Sequence, residues 1–236
     1  MASSAPNEPD PREKGTPGVT ATSLRREVHC ADALEWLRDN PAAPGTSVVT
    51  SLPDMSELPE LGFEGWRAWF LQAARAVIAW VPSDGVAIFF QSDVRHGGAW
   101  IDKGYLVQRA AEDLGASTVF HKIVCRHPPG TITHGRAAYS HLVCFAPGGR
   151  DAPSRPGPDV LADAGFKPST KSMGVEACRL ALRFVLDETP ARRVIDPFCG
   201  QGTLLAVANA MGLDAVGVDK SQRACRAARK LDLELG

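Results

Sequence analysis

Apolar positions recur along this chain in two alternating rhythms. Short runs of strand length fall at 25–30, 47–51, 86–91, 119–126, 139–145, 193–197 and 215–219. Between them lie stretches whose apolar residues are spaced by three and four, predicting helices over 33–39, 66–80, 102–114, 171–186, 204–211 and 222–231. The 66–80 segment has Trp66, Trp69, Phe70, Ala73, Val77 and Trp80 at helical spacing and closes before Pro82. Asp32 is placed to cap the 33–39 helix, and Gly115 to end the 102–114 helix. Repeated alternation of strand and helix predicts a doubly wound α/β fold, its sheet mostly parallel and covered on both faces.

Two stretches interrupt the pattern. Residues 1–22 mix Pro6, Pro9, Pro11 and Pro17 with small and charged residues and read as a disordered tail. In 147–158, 7 of 12 residues are Pro or Gly, a density that supports no regular element, so this is a linker or exposed loop. One folded domain, 23–236, is expected, with halves 23–146 and 159–236 on either side of that linker. No apolar run approaches a membrane span of roughly 20 residues, and the start lacks the apolar core of a signal peptide. A cytoplasmic protein with no membrane partner is the expectation.

Composition narrows the chemistry. Hydrophobic residues are 44% and charged residues 22%, so a folded globular chain is indicated. The six cysteines (30, 125, 144, 178, 199, 225) show no CxxC pair and no paired histidines, which predicts reduced thiols and no metal site. Net charge is only −1. Residues 121–171 nonetheless hold seven Lys or Arg against three Asp, with four histidines, a local surplus suited to a polyanion.

The most informative stretch is Val194-Ile195-Asp196-Pro197-Phe198-Cys199-Gly200-Gln201-Gly202-Thr203. An apolar strand enters a glycine-containing turn that opens a helix. Gly200 and Gly202 allow close backbone approach to a ligand, and the helix start offers free N–H groups. Neither GxxxxGK[ST] nor GxGxxG is present, so no phosphate-cradling loop is implied. The next strand ends at Asp219, whose carboxylate can accept two hydrogen bonds from a ribose diol.

Together, DPFCGQGT (196–203) and GVDK (217–220) resemble the S-adenosyl-L-methionine-binding strands of class I, Rossmann-like methyltransferases. Upstream, Val48-Val49-Thr50-Ser51-Leu52-Pro53-Asp54 resembles the (D/N/S)PP(Y/F/W) motif of amino-methyltransferases. Catalytic motif first and cofactor motif last is the circularly permuted order of the β-group DNA amino-methyltransferases. The resemblance extends over roughly 25–231 and implies a sheet that is mostly parallel with an antiparallel strand at the edge. It implies cofactor-binding roles for Asp32 and Ala33 (in VHCADAL, 28–34), for Ser169, Thr170 and Lys171 (in KPSTKS, 167–172), and for Asp196, Pro197, Phe198, Cys199, Gly200, Gly202, Thr203, Asp219 and Lys220. Catalysis would fall to Ser51, Leu52, Pro53 and Asp54, which hydrogen-bond the acceptor amine and orient its lone pair.

Two departures from the family pattern bear on the substrate. Leu52 replaces the first Pro and Asp54 the closing aromatic, which removes the usual stacking partner of a flipped base unless Trp66, Trp100 or Tyr139 supplies one. The segment matching the recognition insert, 127–138, is a dozen residues long, too short to read several base pairs. These points favour RNA over DNA, with His134, Arg136 and Tyr139 as substrate contacts. They leave open a small-molecule or protein methyltransferase, and a catalytically silent cofactor-binding subunit. A homodimer or partner subunit is likewise left open. The catalytic loop contains no Cys, which excludes carbon-5 methylation of cytosine.

Overall fold

The computed structural model describes residues 24–150, 153–155 and 157–233. The tail expected over 1–22 lies outside them. Among the described residues there are ten strands and six helices: β1 (Arg26–Cys30), α1 (Ala33–Asp39), β2 (Thr46–Thr50), α2 (Gly62–Trp80), β3 (Ala87–Gln91), β4 (Val94–His96), β5 (Ala99–Ile101), α3 (Lys103–Glu112), β6 (Ser117–Cys125), β7 (Tyr139–Ala146), β8 (Val160–Leu161), α4 (Val175–Glu188), β9 (Arg193–Asp196), α5 (Thr203–Ala210), β10 (Asp214–Asp219) and α6 (Gln222–Lys230). Two short 3₁₀ turns, Met55–Glu57 and Pro59–Leu61, follow β2.

Eight strands form one sheet in the order β1-β10-β9-β2-β3-β7-β6-β8. Pairing is parallel from β1 to β3, and the antiparallel pairings lie towards the other end, where β7 runs against both β3 and β6. Alternation of side chains splits the core cleanly. Val49, Ile88, Leu142 and Cys144 face α4, α5 and α6. Val48, Phe89, Val143 and Phe145 face α1, α2 and α3. Trp66 and Phe70 of α2 have no exposed surface and anchor that second layer.

The strand order reverses between β9 and β2. From β9 the chain proceeds through α5 to β10 on one side, and from β2 through α2 to β3 on the other. A crevice at the carboxyl ends of the strands opens at such a reversal. The parallel register Val48↔Ile195 therefore brings the ends of two strands far apart in sequence to one place.

Several boundaries differ from expectation for local reasons. α2 begins at Gly62, because the apolar stripe extends back to Phe63. α4 begins at Val175 rather than at 171. Gly174 occupies its N-cap, and a Cβ there would lie 1.9 Å from the Ala164 carbonyl oxygen, so the preceding residues cross another segment too closely to be helical. The hairpin β4–β5 was not expected. Its turn, Gly97-Gly98, has both residues at positive φ (56° and 82°), the two-glycine signal of a tight hairpin. The Pro/Gly-rich stretch after β7 is tied down: Ser154 and Arg155 backbone N–H groups donate to the Glu188 carboxylate at the end of α4.

Candidate functional site

The crevice holds a cavity of about 460 Å³. Its walls come from both halves of the chain: Ser51, Leu52 and Pro53 after β2, the turn Asp196–Gln201 after β9, and Asp219 and Lys220 after β10. Asp32 and Ala33 at the start of α1, together with Ser169, Lys171 and Ser172, complete the rim. Trp69, Leu58, Met173 and Leu204 add apolar surface that no sequence motif indicated.

The turn after β9 is built around Asp196, which is 3% exposed. Thr50 Oγ1 donates to Asp196 Oδ1 at 2.7 Å, and Phe198 N donates to the same oxygen at 3.1 Å. Burial nevertheless pushes this carboxyl up to about 7, with the Asp219 charge adding to the rise. Asp219 accepts from Gly200 N (3.0 Å) and from Ser221 N (2.7 Å), so it fixes the turn and its own following helix together.

The two glycines of the turn do different things. A Cβ on Gly200 would meet nothing within 4 Å, so the backbone there borders open space in which a ligand can lie close. A Cβ on Gly202 would lie 2.7 Å from Ala228 Cβ, so this glycine, at φ 83°, lets α5 pack on α6. Cys199 packs over Gly217, and burial pushes its thiol far above the usual range, so it is no nucleophile.

Asp32 caps α1 by accepting from Leu34 N and Glu35 N, and its second oxygen pairs with Lys220 at 2.7 Å. Opposite, a hydroxyl chain runs from Thr203 Oγ1 to Ser172 Oγ (3.0 Å) and on to Ser169 Oγ (2.8 Å). Lys171 pairs with Glu57 at 3.1 Å, linking the 164–174 segment to the 3₁₀ turn Met55–Glu57. The cavity thus offers apolar surface, the carboxylates of Asp32 and Asp219, and a hydroxyl cluster. That donor set suits S-adenosyl-L-methionine, whose adenine, ribose diol and methionine need those three environments in turn.

Not every residue singled out from sequence reaches this cavity. Thr170 lines a shallower adjoining pocket with Arg223 and Ala227. Gly202 lies behind the turn, and Asp54 lies just beyond the cavity at the start of the first 3₁₀ turn, where its backbone N–H donates to Glu57 Oε1. His134, Arg136 and Tyr139 are absent from both pockets. Tyr139 OH is directed at Asp93 Oδ2 (3.4 Å). Trp66 donates from Nε1 to the Pro53 carbonyl at 3.2 Å, so it supports the loop at 51–54. Trp80 donates to Asn40 O, and Trp69 meets Phe198 edge-on at 5.9 Å. Of the aromatics considered as a base platform, Trp100 on β5 has an exposed ring, at 41%.

Asp93 is a polar centre that the sequence did not signal. It is 2% exposed and accepts from Lys103 N, Trp100 Nε1 and Tyr139 OH, with His141 Nε2 at 3.0 Å. His141 continues to His121 at 2.9 Å. Asp93, Asp102 and His141 place possible ligand atoms within 4.8 Å of one another. The oxygens of Asp93 are already occupied by these donors, so the group is a hydrogen-bonded hub that ties together β3, β7, α3 and the β4–β5 hairpin.

Residues 179–230 match a family model, N6_N4_Mtase, described as DNA methylase. No curated protein matches the chain. Among solved structures, a candidate DNA modification methylase from Thermus thermophilus, complexed with S-adenosyl-L-methionine, matches with a TM-score of 0.67 at 22% identity, over 88% of this chain and 94% of that one. PvuII DNA methyltransferase, cytosine-N4-specific, matches with a TM-score of 0.68 at 15% identity, over 91% and 89%. The complex of M1.HpyAVI with SAM matches with a TM-score of 0.56 at 15% identity, over 87% and 98%. At these identities the structural matches establish the shared fold.

Proposed function

We propose that this chain, an S-adenosyl-L-methionine-dependent methyltransferase of the amino-methylating DNA methylase family, transfers a methyl group to an exocyclic amino nitrogen of a DNA base. The observation that carries the proposal is the in-register pairing of β2 with β9. It sets Ser51, Leu52 and Pro53 into the same cavity as the turn from Asp196 to Gln201.

DNA replaces RNA as the favoured acceptor. The preference for RNA rested on the short 127–138 loop, whereas the matching family model is that of DNA methylases. A short loop limits how many base pairs are read, not which sugar carries the base. Nothing supports a dimer. Among the described residues, no helix is long and apolar enough to cross a membrane.

When bound in the cavity, S-adenosyl-L-methionine supplies a methyl group already activated on a sulfonium. The work left to the chain is positioning, exclusion of water and handling of one proton. Asp219 and the Asp32–Lys220 pair hold the nucleoside end, and Ser169, Lys171, Ser172 and Thr203 hold the methionine end. An exocyclic amine is a weak nucleophile because its lone pair is delocalised into the ring. Ser51 Oγ and the Leu52 carbonyl accept one of its N–H groups and so localise that lone pair on nitrogen. Asp54, at the mouth, accepts the second N–H and takes the proton released on transfer.

The test is transfer of labelled methyl to separate pools of duplex DNA, single-stranded DNA, RNA, protein and small-molecule extract, with Asp196→Ala as control. Label in DNA that the control abolishes, recovered as an N4- or N6-methylated nucleoside, is the expected outcome. Label confined to RNA, protein or extract overturns the DNA assignment. No label in any pool, with cofactor binding intact by calorimetry, overturns the enzymatic reading.

A further inference from the structure

We propose that Lys103, Arg126, Arg136 and Lys167 form a seat for a backbone phosphate of the DNA acceptor, beside the catalytic loop. The proposal rests on the DNA reading above and specifies how the acceptor's backbone is held. Four separate segments converge here. Lys103 opens α3. Arg126 directly follows β6, and its backbone N–H donates to Ala138 O at 2.7 Å. Arg136 lies two residues before Ala138 on the connecting loop. Lys167 lies on the segment between β8 and α4, whose later residues Ser169, Lys171 and Ser172 line the cofactor cavity.

Arg126 is the hub of the group. It is within electrostatic reach of Arg136, Lys167 and Lys103. Burial first, and this mutual repulsion second, hold Arg126 and Lys167 below their ordinary proton affinities. Among the described residues, none of the four side chains makes a hydrogen bond or an ion pair. Arg136 is exposed, whereas Arg126 and Lys167 are half-buried.

Lys103 is the decisive member. It is 3% exposed, and desolvation lowers its affinity for a proton, yet its side chain makes no hydrogen bond or ion pair. Asp54, Asp93 and Glu57 face it without touching it. Asp93 is taken up by its hydrogen-bonded hub, and Glu57 by Lys171 and the Asp54 N–H. Asp163 faces Lys167 and accepts from Gly165 N. Asp54 is the foremost opposite charge near Lys103, but with no hydrogen bond made the ammonium keeps its donors free for an anion. Two guanidiniums and two ammoniums match the tetrahedral oxygens of a phosphodiester, with the guanidiniums offering paired N–H donors. None of the four lines the cofactor cavity, so the anion is not the carboxylate of the cofactor.

The experiment measures binding of the full chain to a mixed-sequence DNA duplex across a salt series, since phosphate contacts are independent of sequence. Arg126→Gln is expected to weaken binding roughly eightfold near 0.1 M salt and to make the slope of log affinity against log salt shallower by about 0.9. Its affinity for S-adenosyl-L-methionine stays unchanged by calorimetry. Lys103→Met is expected to weaken DNA binding while raising the melting temperature, because it removes a desolvated charge. A purely structural lysine would give the opposite thermal shift. Unchanged affinity and slope in both variants, with the native chain binding DNA, overturn the seat alone. Failure of the native chain to bind DNA, with cofactor affinity intact, overturns the DNA reading and the seat with it. Inorganic phosphate that binds the native chain and not Arg126→Gln, with DNA affinity equal in the two, assigns the seat to a free anion and overturns the proposal.

Discussion

Thr50 Oγ1 donates to Asp196 Oδ1 at 2.7 Å, joining the last residue of β2 to the last residue of β9 across 146 positions of sequence. The bond is buried and joins the two motifs read from the chain, holding the loop at 51–54 to the turn at 196–201 where strand order reverses. Thr50→Val keeps the shape and deletes the donor. Loss of a buried hydrogen bond to a carboxylate costs about 1–2 kcal/mol, equivalent to a fall of about 3–6 °C in melting temperature for a chain of this size. The loss should be larger at pH 8, where Asp196 is ionised, than at pH 5.5, where it is protonated. Thermal melts at the two values check this, and equal losses would remove the Thr50 contribution to the carboxylate.

Asp196 also makes the stability of the chain depend on pH. The unfolded carboxyl titrates near 4, and burial raises the folded one to about 7. Between these values the folded state keeps a proton that the unfolded state has lost. Stability therefore falls as pH rises from about 4 to about 7, and the penalty is complete above 7. At 1.36 kcal/mol per unit its ceiling is about 4 kcal/mol. Asp196→Asn should raise the melting temperature at pH 8 and have little effect at pH 5. The same variant should bind the sulfonium cofactor more weakly while holding the uncharged thioether product as before, because an ionised carboxylate in the cavity attracts only the cation. Parallel loss of both ligands would show that Asp196 acts through shape rather than charge.

The elements that repeated patterning specifies were legible in the chain; those that depend on tertiary contact were not. Trp66, Phe70, Ala73 and Val77 announce α2 because one face of a long helix must be apolar. The turn from Asp196 to Thr203 was legible because glycine at a strand–helix joint has few uses. Asp93 gave no signal: Phe89-Phe90-Gln91-Ser92-Asp93 reads only as the end of a strand, and its partners Trp100, Lys103, Tyr139 and His141 arrive from three other elements. Lys103 was invisible for the same reason, since a lysine at a helix start is ordinarily solvated. The residues proposed to cradle the cofactor sit in short motifs at strand ends, whereas those proposed to meet the acceptor are assembled by the fold.

Asp54 can be separated from its role as a turn residue. It precedes the Met55–Glu57 turn, with its backbone N–H on Glu57. Asn and Ser are both good caps, and neither is a base. Asp54→Asn should lower kcat about a hundredfold, a typical loss for a positioned proton acceptor, with cofactor affinity and melting temperature unchanged. Ser51→Ala should lower kcat by roughly tenfold through loss of one hydrogen bond to the amine. Full activity in Asp54→Asn under saturating acceptor would leave Asp54 with the turn alone.

Trp100 is the residue to test for the stacking that Asp54 cannot supply. It stands on β5, whose hairpin is held by two links: Trp100 Nε1 donates to Asp93 at 3.1 Å, and His96 of the same hairpin stacks on Phe63 at 4.2 Å. The Arg95 guanidinium lies 5.1 Å from the centre of the Trp100 ring, which orders the ring at the protein surface. Stacking of a base on an aromatic ring contributes roughly 1–3 kcal/mol. Trp100→Ala should therefore weaken binding of single-stranded DNA about tenfold or more. No charge is removed, so the salt slope should stay as in the native chain, in contrast to Arg126→Gln. Trp100→Phe loses the same bond to Asp93 but keeps a ring, and it should recover most of the affinity. Equal weakening in both variants would assign Trp100 to holding Asp93 rather than to stacking on a base.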